Sequence, residues 1–147
     1  MCMAVFKRCE CGSKTVQLHL RDNVLTPQVV TRLFCPDCPG ETAFDAGCMV
    51  NDNSWVLEYD MVLATMQLMQ QRMVSPEEVN PAYLFDHGYA CWLETYPGEK
   101  EDIEGDRQRI IALKDQDQQR YLKAMIDWNV KRQADLKAKG WRKAQAS

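Results

Sequence analysis

Apolar and polar residues alternate along the early part of the chain in a pattern typical of half-buried strands. In residues 14–20 every second residue is apolar, and the aliphatic side chains on that side are Val16, Leu18 and Leu20. Residues 29–34 form a second run that is rich in β-branched side chains, and turn-forming residues lie between the two runs. This period of two predicts a β-hairpin. Residues 42–44 and 48–50 are candidates for a short third strand.

After Ser54 the hydrophobic period changes from two to about three and a half. Apolar residues recur at spacings of 4, 3, 4, 3 and 4, and they are Trp55, Tyr59, Val62, Met66, Met69 and Met73. Such a stripe predicts an amphipathic helix of about twenty residues. We expect its methionines to fill a core, and an adaptable partner surface is the alternative, because methionine suits both roles.

Two further helical segments follow. Asn80-Pro81 is a helix-start signature, and the next residues place several aromatic side chains on one face, so we predict a helix over about residues 81–95. A longer helix is predicted from about Asp106 to Lys139. Its apolar positions thin out after Trp128, and we expect packing to stop before the basic C-terminal end.

Together these patterns predict an α+β fold. A small N-terminal antiparallel sheet is expected over residues 1–50, and a helical hairpin or small helical bundle with a basic tail over residues 51–147. The length of 147 residues suits a small module that carries a helical appendage.

Two cysteine pairs lie at the ends of the predicted hairpin. The first is Cys9-Glu10-Cys11-Gly12 and the second is Cys35-Pro36-Asp37-Cys38. Glycine and proline favour tight turns at both places. Two turns that each present a pair of thiolates surround one metal ion tetrahedrally, with metal–sulfur bonds of about 2.3 Å. The predicted ligands are therefore Cys9, Cys11, Cys35 and Cys38.

Other residues offer alternative ligands. Cys48 follows the second pair by ten residues and is a candidate to replace Cys9 or Cys11, whereas His19 is expected to be an exposed strand residue. For Cys2 and Cys91 a small buried or terminal thiol is the ordinary role.

Over about residues 5–50, the two pairs and the strands between them resemble the zinc ribbon, a three-stranded sheet held by one zinc ion. The resemblance implies a structural zinc site in the four cysteines, and a rubredoxin-like iron site is the alternative. The sequence departs from the family at two points. Its first pair is C-x-C, and Pro39, which has no N–H to donate to a sulfur, follows Cys38.

Cysteine content and hydropathy indicate in which cellular compartment the protein is expected. The N-terminus lacks the apolar core of a signal peptide, and no apolar run approaches the roughly 20 residues of a membrane span. Seven cysteines without an export signal predict a reducing, cytoplasmic location, where paired cysteines more often bind metal than form disulfides.

Charge is divided unevenly along the chain. The net charge is +2 over residues 1–40, −12 over residues 41–106 and +7 over residues 107–147. The acidic middle would compete with phosphate for the basic groups. We therefore expect an adaptor or regulatory protein that binds a protein partner, and a homodimer through the helices is a further alternative.

Nucleic-acid binding is the second function that we consider. Its phosphate contacts would come from the basic tail and from Lys7, Arg8, Lys14, Arg21 and Arg32. An enzyme is not expected. The adjacent Asp86 and His87 point about 100° apart on a helix, so they do not form a catalytic dyad.

Overall fold

The computed structural model describes residues 2–38 and 43–145. The chain divides into two compact units, Met1–Leu93 and Glu94–Ser147, which we call unit 1 and unit 2. Antiparallel sheets in the N-terminal part and helices in the C-terminal part confirm the predicted α+β fold class. The units do not coincide with residues 1–50 and 51–147, because strand pairing extends past residue 50.

Within the described residues of unit 1, six strands form two antiparallel sheets. The strands are β1 (Met3–Arg8), β2 (Thr15–Leu20), β3 (Val30–Phe34), β4 (Met49–Asp52), β5 (Trp55–Tyr59) and β6 (Cys91–Trp92). The first sheet has the order β1-β2-β6 and the second has the order β3-β5-β4. Short 3₁₀ turns at residues 21–23 and 27–29 connect β2 to β3.

The strand predicted at residues 14–20 is confirmed as β2, and its apolar side is buried as the alternation indicated. Its pairing partner differs from the prediction. β2 pairs with β1, with Val5 opposite Leu18, whereas β3 pairs with β5. The predicted hairpin between β2 and β3 is therefore wrong, because the residues between them form 3₁₀ turns that lead the chain from one sheet to the other.

The helix predicted from Ser54 begins later. Asn53 and Ser54 have φ angles of 51° and 73° and close a two-residue hairpin between β4 and β5, a loop length that favours such left-handed conformations. Trp55 and Tyr59 are buried in the central strand of the second sheet. The Asp60 side chain then caps helix α1 (Met61–Arg72) by accepting a bond from the Leu63 N–H.

The methionine stripe of α1 does not fill the core. The helix buries Ala64 and Leu68, whereas Met66 and Met69 are exposed on the opposite face. Since Trp55 and Tyr59 belong to β5, the helix has a different inner face from the one that the continuous spacing predicted. Of the proposed third strand, β4 begins at Met49, Ala43 and Phe44 lie in a loop, and Thr42 is outside the described residues.

The helix predicted over residues 81–95 is shorter. Helix α2 (Pro81–Asp86) begins at the expected cap, because the Asn80 side chain accepts a bond from Tyr83 N–H. Gly88 has a φ of 78°, and beyond it the chain forms β6. The Trp92 ring packs edge-on against Phe85, and its indole N–H donates to the buried Asp52 at 2.8 Å. Core packing of Trp92 thus prevails over local helical periodicity.

Unit 2 consists of helices α3 (Glu99–Ala112), α4 (Gln118–Lys139) and α5 (Arg142–Gln145). The predicted helix over residues 106–139 is therefore two helices. Asp117, which interrupts the apolar pattern, is the N-cap of α4, and its carboxylate accepts bonds from Gln119 and Arg120 N–H. Acidic residues in the first turn of α3 suit a helix that starts at Glu99.

The basic end of α4 is packed, contrary to the prediction. Gly140, at a φ of 83°, ends the helix with bonds from its N–H to Lys137 and from Trp141 N–H to Leu136, which is a Schellman motif. Leu136 and Ala144 are buried, and Trp141 stacks on Tyr96 with ring centroids 5.0 Å apart. The Schellman turn thus returns apolar side chains to the unit.

None of the described helices has the combination of length and apolar character that a membrane crossing requires.

Candidate metal centre

The loop between β1 and β2 carries the first cysteine pair. The Cys9 N–H donates to the Lys14 carbonyl at 2.9 Å and closes the base of the hairpin, while Gly12 N–H donates to the Cys9 carbonyl, also at 2.9 Å. Gly12 has a φ of 76°, a conformation that disfavours other residues. This loop turns the thiols of Cys9 and Cys11 toward each other, with their sulfur atoms 3.1 Å apart.

The second pair lies directly after β3. Pro36 occupies the first central position of a turn in which Cys38 N–H donates to the Cys35 carbonyl at 3.1 Å. The Cys35 N–H in turn donates to the Cys38 sulfur at 3.2 Å. A backbone bond of 2.8 Å from Glu10 N–H to the Leu33 carbonyl fixes the first turn beside the second. The turns come from different sheets, yet they face each other.

All four predicted cysteine sulfurs lie within 4.8 Å of one another. The Cys11 sulfur is 3.5 Å from that of Cys35, which is itself 3.5 Å from the Cys38 sulfur. Sulfur atoms around a tetrahedral zinc or iron ion stand roughly 3.8 Å apart, given metal–sulfur bonds of about 2.3 Å. The cluster therefore needs only a small expansion to hold a metal ion with four sulfur ligands. Four sulfur donors suit both zinc and iron.

A serine hydroxyl, which the cysteine spacing does not indicate, lies beside the sulfurs. Ser13 Oγ is 2.9 Å from the Cys11 sulfur and 3.9 Å from those of Cys9 and Cys35. A hydroxyl in this position donates to a thiolate and helps to orient it, as residues around the ligands of metal sites commonly do. The only signal in the sequence is that Ser13 follows Cys11 by two residues.

The cysteines ionise unequally because their surroundings differ. Burial opposes ionisation of Cys9, but bonds from the Cys11 thiol, the Lys14 backbone and the Ser13 hydroxyl outweigh it and lower the Cys9 pKa to about 6. Burial raises the pKa of Cys35 to about 12, and its bonds with Cys11 and Cys38 act in the same direction. Metal binding here must therefore displace protons, above all from Cys35.

One cation stands next to the centre. Lys14 Nζ contacts the Asp37 carboxylate at 3.0 Å and lies 5.4 Å from the centre of the Trp55 ring. The bond to Asp37 raises the pKa of Lys14, against the effect of burial, and the nearby Cys35 and Cys9 add to the rise. Lys14 thus brings positive charge close to sulfurs that become negative on ionisation.

The alternative ligands lie outside the group of sulfurs. Among the described residues the cluster contains neither Cys48 nor His19. Cys48 precedes β4, and burial is the main cause that raises the pKa of its thiol. His19 lies in β2 opposite Ala4 of β1. Pro39, the second departure from the zinc ribbon, is outside the described residues.

The basic residues that would contact phosphate already have protein partners. The guanidinium of Arg32 pairs with Glu58 at 2.6 Å, and Arg21 donates to the His87 carbonyl at 3.1 Å. Lys7 donates to the Thr31 carbonyl at 3.2 Å. Arg8 donates to the Gly12 carbonyl, and Lys14 pairs with Asp37 as described. The five do not form a single cluster of unengaged cations.

Asp86 and His87 are both exposed at the end of α2. The His87 ring stacks on Tyr83 with centroids 4.1 Å apart. This contact gives His87 a packing role.

In comparisons with protein-family models, curated proteins and solved structures, none matches this chain. What the four-cysteine centre does is therefore inferred from its own geometry and chemistry.

Proposed function

We propose that this protein is a zinc-binding adaptor or regulatory protein, in which a structural zinc ion in Cys9, Cys11, Cys35 and Cys38 fixes unit 1. The observation that carries the proposal is the gathering of four sulfurs within 4.8 Å by two turns of different sheets. Four cysteine ligands complete the tetrahedral coordination of zinc and leave no position for water or substrate, as in structural sites. The bound ion would supply cross-linking and not reaction chemistry.

The positions of the four cysteines would allow the ion to link the two sheets of unit 1. Cys9 and Cys11 belong to the β1–β2 loop of the first sheet, and Cys35 follows β3 of the second sheet. Within residues 2–38 and 43–145 each sheet has three strands, and β6 contributes two residues to the first. Sheets this small need additional packing or a staple. A metal ion between their loops would hold the two sheets in one arrangement.

The adaptor role rests on the surface of unit 2. Helix α4 exposes three aliphatic side chains at i, i+4 and i+8, namely Leu122, Ile126 and Val130. Such a row forms a ridge of the kind that packs against a similar ridge of another helix, at a crossing angle of about −50°. We propose that the partner presents an amphipathic helix to this ridge. The flanking Gln119, Asn129 and Gln133 would supply uncharged rim positions, and Lys123 on the other side a cationic one.

Metal analysis of freshly purified protein, together with its absorption spectrum, tests the zinc assignment. We expect one zinc ion per chain and no visible absorption. Cys35→Ser should lose the metal, and Cys48→Ser should retain it, because Cys48 lies outside the cluster. A coloured protein with stoichiometric iron would instead make this a rubredoxin-like electron-transfer centre.

A helix-scanning binding experiment tests the adaptor assignment separately. Purified protein would be titrated against a library of synthetic amphipathic helices that carry aliphatic residues at i, i+4 and i+8. We expect binders whose affinity falls at least tenfold with Ile126→Glu. If binders are unaffected by this substitution, the ridge is not the adaptor surface, whatever the metal content.

Lys131→Gln is the matched control on the same helix. Lys131 is exposed, and five residues of helix place it about 140° around the axis from Ile126. Its replacement makes the net charge more negative by one, as Ile126→Glu does. We expect the affinity to stay unchanged in this variant, and an equal loss in both variants would mean that charge, and not the ridge, controls binding.

Nucleic-acid binding is less well supported, because the basic residues of unit 1 are engaged and Arg132 of the C-terminal region pairs with Glu99 at 3.3 Å. Titration of labelled oligonucleotides at two salt concentrations distinguishes nucleic-acid binding from the adaptor role. For single strands, the logarithm of the affinity falls with the logarithm of the salt concentration with a slope of about −0.7 per phosphate contact. Tight binding with such a steep salt dependence would contradict the adaptor proposal and support nucleic-acid binding.

A further inference from the structure

Strand β1 is an edge of the first sheet. It pairs with β2 on one side, and no strand of the described residues lies on its other side. The pairing from Met3 to Arg8 is continuous, without a bulge or a proline, and four of the six residues are exposed. Proteins usually shorten, interrupt or cover such an edge, because its unpaired backbone groups bind other strands. β1 is therefore a long edge that is open to a partner.

The hydrogen-bond pattern shows which backbone groups of β1 point away from β2. In an antiparallel ladder, residue pairs that exchange hydrogen bonds alternate with pairs that do not. The Cys9 N–H donates to the Lys14 carbonyl at 2.9 Å, and this pair continues the register of β1 with β2. Counted back from Cys9 in steps of two, the residues bonded to β2 are Lys7, Val5 and Met3. The backbone groups at the open edge therefore belong to Ala4, Phe6 and Arg8.

The other side of β2 gives the same assignment. The Leu93 N–H donates to the Gln17 carbonyl at 3.0 Å, so the backbone of Gln17 faces β6 and not β1. Gln17 lies opposite Phe6, whose N–H and C=O must then point to the open edge. A row of alternating donors and acceptors at this spacing is matched by another extended strand. The backbone of β1 thus specifies a strand as its partner.

The charges of β1 indicate which kind of strand fits. Residues 3–8 contain the cations Lys7 and Arg8 and no acidic residue. Their side chains donate to the neutral carbonyls of Thr31 and Gly12, and among the described residues neither pairs with a carboxylate. A second copy of β1 would add two further cations to the same ladder, and like charges on adjacent strands are destabilising. A strand with acidic residues at this end is favoured, and a second copy is disfavoured.

We propose that β1 binds an extended acidic segment of a partner protein as an added antiparallel strand of the first sheet. Antiparallel pairing is the more stable form per residue and continues the order of this sheet. The bound segment then runs from Arg8 toward Ala4, with acidic residues opposite the two cations. A β-branched residue opposite Phe6, which is 72% exposed, completes a favourable cross-strand pair.

This inference goes beyond the proposed function, because it concerns an edge of unit 1 and a strand, whereas the ridge of α4 lies in unit 2 and was proposed to bind a helix. An adaptor needs two binding surfaces, and β1 would supply the second. The two assignments fail independently, since each has its own probe.

NMR titration of the full-length protein with the synthetic peptide Glu-Glu-Ile-Val-Ile-Thr tests the proposal. We expect saturable shifts that are larger for the outward amides of Ala4, Phe6 and Arg8 than for those of Val5 and Lys7. The peptide Lys-Lys-Ile-Val-Ile-Thr should bind about tenfold more weakly or worse, and the difference should shrink at high salt, because it arises from exposed charges.

N-methylated peptides test strand addition without any change to the protein. Methylation of the third residue, which is opposite Phe6, removes an N–H that points at β1, and we expect the affinity to fall by about tenfold or more from the lost bond and the added clash. Methylation of the fourth residue alters an N–H that points away from β1. This matched peptide should bind like the parent.

Ala4→Pro tests the same edge from the side of the protein. The Ala4 N–H points away from β2, so proline removes no bond within the sheet, and edge strands tolerate it at such positions. We expect a loss of peptide affinity of about tenfold or more, with metal content and melting temperature close to those of the wild type. Ala4→Val, which keeps the N–H, is the control and should bind like the wild type.

Three results would overturn the proposal. They are no saturable shift with the acidic peptide, equal affinities of the two N-methylated peptides, and a wild-type dimer that Ala4→Pro dissociates, which would make a second copy the occupant of the edge. Should Ala4→Pro unfold the protein, the pair of methylated peptides still decides. Metal content measured in the same samples separates these outcomes from failure of the zinc assignment.

Discussion

The two units of the chain are stabilised in different ways. Unit 1 buries a large set of aliphatic and aromatic side chains, with Leu18, Leu57 and Trp92 exposed by 1% or less. Among the described residues of unit 2, the buried hydrophobic ones are Ile110, Leu136 and Ala144. Burial of apolar surface is the dominant favourable term in folding. Unit 1 thus has a large core, whereas unit 2 has a small one and depends more on contacts at its surface.

Those surface contacts in unit 2 form a half-buried cluster around Arg132. Its guanidinium pairs with Glu99 at 3.3 Å, lies over the rings of Tyr96 and Trp128, and is 19% exposed in its side chain. The Trp128 indole N–H donates to Asp106 at 3.2 Å. Partly hydrated ion pairs and ring contacts of this kind are individually weak. Core burial, together with the proposed metal ion, therefore matters most in unit 1, and a few packed side chains matter most in unit 2.

Removing one of the four clustered cysteines should have the largest effect on the stability of unit 1 relative to unit 2. Metal binding contributes on the order of 10 kcal/mol to the folding of small zinc domains, which is as large as the whole stability of an ordinary domain. We expect Cys35→Ser to abolish the cooperative unfolding of unit 1 while the helical circular dichroism of α3 and α4 persists. Hydrogen exchange read by mass spectrometry would assign protection to each unit.

Cys48→Ser is the matched control for this experiment, since Cys48 is also a cysteine of unit 1, half-buried where Cys35 is buried, but lies outside the cluster. An unchanged melting transition and full metal content in Cys35→Ser would show that the ion is bound elsewhere.

A core truncation in unit 2 should have an intermediate effect. Leu136→Ala removes a side chain that is 4% exposed, and such substitutions cost roughly 2–5 kcal/mol. Leu122→Ala, on the same helix but 55% exposed, should cost less than about 0.5 kcal/mol. Urea denaturation, with hydrogen exchange to separate the units, measures both. Equal costs for the two leucines would mean that unit 2 has no packed core at Leu136.

Acidification should have the smallest effect on stability, and it tests one carboxylate of unit 2. The bond from the Trp128 indole, and then that from Arg109, lower the pKa of Asp106 below its ordinary value of 3.8. The stabilisation from the Asp106 carboxylate is therefore complete above that value, and it is lost as the pH falls through the lowered pKa.

We expect Asp106→Asn to be slightly less stable than the wild type at pH 6, with the difference disappearing toward pH 2. Urea midpoints at a series of pH values provide the measurement. A difference that is constant across this range would mean that the carboxylate charge of Asp106 does not stabilise unit 2.

Local sequence signals predicted several features correctly. The alternation around Leu18 identified β2, and the Asn80-Pro81 signature marked the start of α2. Both succeed because cap chemistry and side-chain alternation act within a few residues. The four cysteines also come together as predicted, although the arrangement that unites them differs from the expected hairpin.

The predictions that are wrong share a physical cause. Local periodicity does not specify which strands pair or which side chains are buried. The spacing from Trp55 to Met73 reads as one helical stripe, yet Asn53 and Ser54 close a hairpin and Trp55 is paired in a strand. The remaining stripe then faces solvent. Similarly, Gly140 looks like a simple helix end, and only the contact of Trp141 with Tyr96 reveals that the chain beyond it is packed.

The amino-acid sequence by itself determined the fold class, the cysteine pairs and the turns that present them, because turn chemistry and ligand type reside in neighbouring residues. The tertiary structure decided which strands pair, which face of α1 is buried and where Ser13 lies relative to the sulfurs. These outcomes depend on competition among distant segments for one core. The identity of a residue such as Met66 does not reveal whether it lies in a core or on a surface, and only the packing of the whole chain distinguishes the two.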